Sequence, residues 1–320
     1  MSPSAKTTKL KIVVLAGGIS HERDISLKSA RRVADALQEK GAQVLMREPD
    51  KELLENLKKD KPDVIWPVLH GASGEDGALR DILALTGIPF VGASASAAKL
   101  SWDKSIAKIL VFRSGVQTPS SITLPRETFR ELDAESVLKL VTKSLSLPVV
   151  VKPARSGSAQ GVTIVKKQGQ LNQAMIDAYV YCDVAIIEDF VAGTELAVGV
   201  IDKAGRPTAL PAVEIKPRSG HFGFEERYVA GETDYFVPAR ITKSVAEKAA
   251  KAAIDAHKAL GLRHISRVDL IVDSKGVPWF LEANVLPGLT ETSLLPQAIV
   301  ASGSTLGDVY FSLAQAAIKG

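Results

Sequence analysis

Short apolar runs and longer amphipathic stretches alternate along the chain from Lys11 onward. Lys11 to Ala16 reads as a short strand of the buried type, and Gln43 to Arg47 and Asp63 to Leu69 read as further strands. Between them Ser29 to Lys40 and Lys51 to Lys58 read as helices. A further helix ends at Thr86, and a short strand, Pro89 to Val91, closes the pattern near Ser101. Strand and helix in alternation predict a doubly wound parallel sheet, whose ligands gather at the carboxyl ends of the strands. Two glycine-bearing loops lie at that rim. Gly17 to Asp24 presents Glu22 at the start of a helix, where the helix dipole also favours a glutamate; His70 to Gly77 brings an imidazole together with Glu75 and Asp76.

The pattern then changes. A helix from Lys104 to about Ser114, a β-rich run from Ser121 to Leu124 and a helix over Glu135 to Ser144 precede an apolar strand that ends in Lys152. The small residues from Ala154 to Gly161 that follow allow backbone N–H groups to approach phosphate oxygens, with Lys152 as a fixed positive charge. No Gly-Lys-Ser/Thr closes this loop, and a strand, Val162 to Lys166, comes next, so it is not a Walker loop. Val184 to Val191 is another buried strand. Backbone at Phe190 and Val191 could read an adenine, with Glu188 accepting from its amino group and Glu195 binding ribose, although two rim glutamates are an equally plain reading. Strands Leu196 to Ile201 and Leu210 to Ile215 lead into the long loop Lys216 to Tyr235, of a length usual for functional lids. A helix over Ser244 to Leu260 follows.

Two further apolar runs flank Asp273-Ser274-Lys275-Gly276, which reads as a hairpin turn. Centring the turn on Ser274 and Lys275 pairs Asp269 with Phe280 and Arg267 with Glu282. Arg267, Asp269, Glu282 and Asn284 then share one face, while Val268, Leu270, Trp279 and Leu281 fill the other. Two carboxylates and an amide oxygen are hard ligands of the kind that suit Mg2+ on nucleotide phosphates; an ordinary solvated strand face is the competing explanation.

Composition narrows the class. Of 320 residues, 46% are hydrophobic and 24% charged, as in a globular protein with room for two or three cores. The 40 basic and 36 acidic residues are mixed along the chain, so no basic tract implies nucleic acid. The single Cys182 fits a reducing compartment. No run approaches the length of about 18 apolar residues that spans a bilayer, and the polar start is not a signal peptide, so the expectation is a cytoplasmic protein with no membrane partner.

In order and spacing, Gly17-Gly-Ile-Ser-His-Glu22-Arg, His70-Gly-Ala-Ser-Gly-Glu-Asp-Gly77, Asp103-Lys104, Val151-Lys152-Pro, Gly157-Ser158, Arg267-Val-Asp269, Leu281-Glu-Ala-Asn284 and Pro287-Gly288 resemble the D-alanine–D-alanine ligases of the ATP-grasp superfamily. The resemblance covers nearly the whole chain from Lys11. It implies a substrate domain over 1–102, a central lobe with the glycine-rich loop over 103–192 and a C-terminal lobe over 193–320, the last two forming the ATP-grasp fold, α/β giving way to α+β in the C-terminal half. It also implies that ATP phosphorylates one D-alanine and a second displaces the phosphate, in a homodimer joined through the first domain. Carried over by position, Lys104, Lys152, Gly157, Ser158 and Arg227 would hold phosphates, and Glu188, Phe190, Val191 and Glu195 the nucleoside. Asp269, Glu282 and Asn284 would hold two Mg2+ ions, with Mn2+ an alternative. Glu22, Ser158 and Tyr228 would form a hydrogen-bonded trio on the first D-alanine, near His70. Arg267 and the Gly288 N–H would stabilise the tetrahedral oxyanion, and Ser293 and Leu294 would meet the second substrate. The chain departs from the family pattern at Ala159-Gln160, at Phe222 to Arg227 and at Val285. These departures leave D-serine or D-lactate as alternative acceptors, and a nucleotide-binding regulator as an alternative to an enzyme. Relatives that use D-lactate carry a histidine in the lid, and His221 lies a few residues before Tyr228, but the retained Tyr228 favours an amine nucleophile.

Overall fold

The computed structural model describes residues 9–218 and 231–320. Strands β1 (Lys11–Ala16), β2 (Gln43–Arg47) and β3 (Val64–Val68) form a parallel sheet in the order β2-β1-β3. The predicted strand at Pro89 to Val91 contracts to a single parallel bridge between Phe90 and Ile65. Alternation along β1 explains its unbroken apolar character. Ile12, Val14 and Ala16 pack towards helix α1 (Arg23–Glu39), while Val13 and Leu15 pack towards Leu53 and Leu57 of α2 (Leu53–Asp60) and Leu83 of α4 (Ala78–Leu85). Both faces are covered, which is the doubly wound arrangement. Within the predicted loop His70 to Gly77, residues Ala72–Glu75 form a one-turn helix, α3. Gly74 is required there, because a Cβ would stand 1.6 Å from the Leu69 carbonyl oxygen.

The rest of the chain forms two antiparallel sheets. Strands β4 (Ser121–Pro125), β5 (Val149–Pro153), β6 (Thr163–Val165) and β7 (Val184–Asp189) lie in the order β4-β7-β5-β6. Their apolar face is covered by α8 (Ala134–Ser144) and α9 (Leu171–Tyr179). The larger sheet contains β8 (Thr194–Lys203), β9 (Arg206–Ala209), β10 (Val213–Pro217), β11 (Thr233–Phe236), β12 (Ile265–Val272) and β13 (Pro278–Asn284), in the order β11-β10-β8-β12-β13 with β9 against β8. The strand expected over Leu210 to Ile215 begins only at Val213, as β10, because Pro211 lies in the break after β9 and proline supplies no ladder N–H. One face of this sheet packs on α5 (Ala95–Trp102), α6 (Lys104–Arg113) and the alanine stripe Ala249, Ala252, Ala253 and Ala256 of α10 (Lys243–Ala259). Two helices follow the last strand, α11 (Leu294–Ala301) and α12 (Leu306–Lys319). The second returns to the first sheet, where Tyr310 meets Trp66 edge-on at 5.3 Å.

The β12–β13 hairpin differs from its expected register at two points. Asp273 pairs with Val277 through an N–H to O contact of 3.1 Å, and Gly276 has φ +73°, so the loop holds three residues rather than two. A β-bulge follows, the register stepping from Leu270↔Phe280 to Asp269↔Glu282, which leaves Leu281 without a partner. One residue gained at the turn and one at the bulge restore the alternation. Arg267 therefore faces Asn284, and Asp269 faces Glu282, directly across the strands. Between the two shifts the alternation is inverted: Phe280 is fully buried beside Leu270, with Ala283 also in the core, whereas Trp279 and Leu281 are only half-buried. Trp279 donates its indole N–H to Asp273 at 3.0 Å instead.

Candidate active site

Two cavities of about 780 and 540 Å3 adjoin one another and share Lys104, Ser156, Ile215, Asp269 and Glu282 in their walls. Their junction lies on the polar face of the β12–β13 hairpin.

The smaller cavity is a slot between the two antiparallel sheets, with Val150 and Ile164 on one side and Ile271 and Leu281 on the other. Lys152, expected to meet phosphate, and Glu188, Phe190, Val191 and Glu195, expected to meet the nucleoside, are brought together in its lining. Glu188 is held more firmly than a plain rim glutamate. Its two oxygens each lie 2.5 Å from an ammonium, Lys152 on Oε1 and Lys108 on Oε2. Burial favours the neutral carboxyl, but the two lysines outweigh it and keep Glu188 below the usual carboxylate range. At the mouth, Arg240 forks onto Glu214 at 3.0 and 2.6 Å.

The larger cavity runs from the hairpin along α1. Ser158 donates its hydroxyl to Glu22 Oε1 at 2.5 Å, joining the glycine-rich loop to the first unit. Arg267 forks onto Asp269 at 2.7 and 2.8 Å. Burial opposes its charge, but Asp269 and Glu282 hold its pKa above the ordinary arginine value. Lys104 Nζ lies 2.6 Å from the Ser156 carbonyl oxygen and 3.2 Å from Glu282 Oε2. His70 is buried beside Ser29, and burial lowers its pKa despite the field of Glu22, so the ring is neutral near pH 7. Gly157, Gly288, Ser293 and Leu294 line the same space. A Cβ at residue 288 would stand 2.7 Å from Ser293 Oγ, so glycine lets the chain lie close against Ser293 in this wall. The Asn284 side-chain oxygen accepts from the Leu286 N–H at 2.7 Å and keeps a second lone pair.

Three residues of the site carry no specific role in the reading from sequence. Glu75 lines the larger cavity and accepts from the Gly71 N–H at 3.0 Å; burial pushes its carboxyl up to about 8, Gly71 pulling against that and Glu22 adding to it. Its neighbour Asp76 turns away and caps Ala78, so only one of the two carboxylates expected at this rim faces the cavity. Ser156 offers its carbonyl at the junction, and Lys108 stands behind Glu188. The i,i+4 spacing of Lys104 and Lys108 on one helix was the signal available for the latter. Arg227, Tyr228 and His221 lie outside the described residues.

Among the described residues no three His, Cys, Asp or Glu side chains cluster as a metal cage. The donor set is instead two carboxylates facing each other across a strand pair with an amide oxygen beside them. That set fits Mg2+, which is commonly held by one or two carboxylates together with substrate phosphates rather than by an all-protein cage. No helix among the described residues is long and apolar enough to cross a membrane.

The family model "D-ala D-ala ligase C-terminus" matches residues 110–315. A D-alanine–D-alanine ligase from Geotalea uraniireducens is 37% identical over 310 residues, covering 97% of this chain and 96% of the relative. The crystal structure of the VanG D-Ala:D-Ser ligase from Enterococcus faecalis superposes with a TM-score of 0.84 at 28% identity, over 97% of this chain and 100% of that one. That of the D-alanine–D-alanine ligase from Bacillus anthracis complexed with ATP gives 0.79 at 26% identity, over 97% and 99%.

Proposed function

The chain belongs to the D-alanine–D-alanine ligase family, and from that premise we propose that it joins two D-alanines into D-alanyl-D-alanine, with cleavage of ATP to ADP and phosphate, for peptidoglycan precursor synthesis. The observation that carries the reading is the meeting of two cavities at Asp269 and Glu282, with Arg267 beside them. ATP lies in the smaller cavity, its nucleoside against Glu188, Phe190, Val191 and Glu195 and its phosphates towards Lys152, Lys104, Gly157, Ser158 and Arg227. Asp269, Glu282 and Asn284 hold Mg2+, which when bound neutralises the phosphate charge and aligns the γ-phosphoryl group. The first D-alanine sets its ammonium on Glu22, with Ser158 and Tyr228 completing the hydrogen bonds, and its carboxylate near neutral His70 and Arg267.

A carboxylate oxygen attacks the γ-phosphorus and ADP leaves, giving an acyl phosphate. The free amine of the second D-alanine, held near Ser293 and Leu294, then attacks the carbonyl carbon. Arg267 and the Gly288 N–H donate hydrogen bonds to the developing oxyanion, and its collapse expels phosphate. A fixed donor of this kind is worth about 3 kcal/mol or more to such a step. The chemistry needs charge and alignment rather than a protein nucleophile, which accounts for a site of lysines, carboxylates and one arginine. On this reading the enzyme works in the cytoplasm, where ATP is supplied, as a homodimer. Its three units are 1–102, 103–192 and 193–320, although α12 returns to pack on the first.

The fold likeness to a D-Ala:D-Ser ligase favours one second reading, with D-serine as acceptor, which a screen of D-amino acids separates. The route is tested with D-alanine labelled with 18O in its carboxylate. An acyl phosphate sends one labelled oxygen into the released phosphate; unlabelled phosphate would overturn it.

A further inference from the structure

Behind the smaller cavity lies a buried charge cluster that the roles above do not use. Lys108 stands one turn after Lys104 on α6, and its side chain and that of Glu188 are each 3% exposed. It lies behind the wall of the slot rather than in it, and reaches the slot only through Glu188. Lys152 takes the other oxygen of the same carboxylate from β5. Two ammoniums on one carboxylate give this dry corner a net positive charge, and removal of either changes the balance that keeps Glu188 ionised.

That balance has a chemical consequence. An ionised carboxylate only accepts hydrogen bonds, whereas a protonated carboxyl also donates. A fixed carboxylate therefore welcomes a 6-amino group on a purine and opposes a 6-oxo group, while a protonated one can pair with either. By occupying one oxygen, Lys108 also leaves Lys152 incompletely neutralised and able to turn its remaining N–H groups to a phosphate.

We propose that Lys108 is a positioning residue for nucleotide selection, holding Glu188 ionised and oriented so that the slot takes 6-aminopurine triphosphates and refuses 6-oxopurine ones. This rests on the assignment of the smaller cavity to the nucleotide. A residue that only filled space would affect all nucleotides alike.

The test compares kcat/KM for ATP and ITP in the wild type, Lys108→Met and Lys108→Arg, each checked for unchanged thermal unfolding. Lys108→Met keeps the volume, and the Lys152–Glu188 pair preserves the local fold. The expected result is a preference for ATP over ITP that shrinks about tenfold or more in Lys108→Met, with the loss in KM for ATP rather than in kcat, and that returns in Lys108→Arg. An unchanged ratio, or equal losses for both nucleotides, would overturn the proposal. Calorimetric ATP binding to Glu195→Ala, which lines the slot from the other sheet, tests the underlying assignment separately: undiminished affinity there means that the nucleotide lies elsewhere, whatever Lys108 does.

Discussion

Ser158→Ala isolates one hydrogen bond on which recognition of the first substrate depends. The hydroxyl lies 2.5 Å from Glu22 Oε1, and Glu22 is only 8% exposed, so little water is at hand to replace it. Ser158 sits at φ +54°, but alanine carries the same Cβ and meets the same backbone strain, so the substitution subtracts the hydroxyl and little else. A hydrogen bond to a charged group is worth about 1.5–3 kcal/mol, which at tenfold per 1.4 kcal/mol corresponds to a loss of about 10- to 100-fold. Glu22 keeps other interactions, which favours the lower part of that range. The assay is calorimetric titration of D-alanine into enzyme saturated with a non-hydrolysable ATP analogue, together with titration of the analogue itself. The weakening should fall on D-alanine, with the nucleotide constant within about threefold of wild type. Equal weakening of both ligands, or of neither, would refute the assignment of Glu22 and Ser158 to the first substrate.

Glu282→Gln keeps the shape of the hairpin but removes one of two facing carboxylates, and should raise the Mg2+ concentration for half-maximal ATP turnover about tenfold or more; an unaltered Mg2+ titration would remove Glu282 from the metal site. Burial holds both His257 and His264 down to about 4, below an unfolded value near 6.5. Each therefore contributes stability that is complete above pH 6.5 and lost as the pH falls towards 4, at most roughly 2 kcal/mol per histidine between pH 7 and 5, and urea unfolding with the same midpoint at both pH values would contradict this. Gly193→Ala places a Cβ 2.1 Å from the Val272 carbonyl oxygen, where β8 begins beside β12, and should destabilise by about 2–3 kcal/mol in the same unfolding assay; wild-type stability would show that the strands part freely.

The parts of the fold legible in the sequence are those where one residue type dictates one environment. β1 has the predicted ends because a strand buried on both faces is apolar throughout and its flanks are not, whereas β2, at the edge of the sheet and only partly buried, keeps its predicted ends around the short apolar core Val44 to Met46. The polar face of the hairpin was legible for a weaker reason. The three-residue turn and the bulge at Leu281 each shift the register by one, and their effects cancel at Glu282 and Asn284 but not at Trp279. A bulge depends on what packs against the strand, here Phe280 against Leu270 in the core, and that information is not local. Pro211 is a visible strand breaker inside an otherwise apolar run, and the expected strand starts only beyond it, at Val213. Helices α11 and α12 are absent from the sequence-based expectation; their buried faces, Leu295, Ala298 and Ile299 in one and Tyr310, Leu313 and Ala314 in the other, are defined by packing on strands and helices remote in sequence. Within the site, Glu22, Lys104, Lys152, Arg267 and Asp269 were marked by motif. Lys108 was not singled out, since its character comes from burial against a partner far away in the chain, and Glu75 was named only as one of two rim carboxylates, its raised pKa being a product of burial.

The most direct test of the whole reading is ADP and phosphate release by the purified protein with Mg-ATP and D-alanine, with L-alanine as control and the product identified by mass. D-alanine-dependent release accompanied by D-alanyl-D-alanine is the predicted result. Absence of turnover with D-alanine, alone or paired with any second acceptor, under conditions in which ATP binds would contradict it.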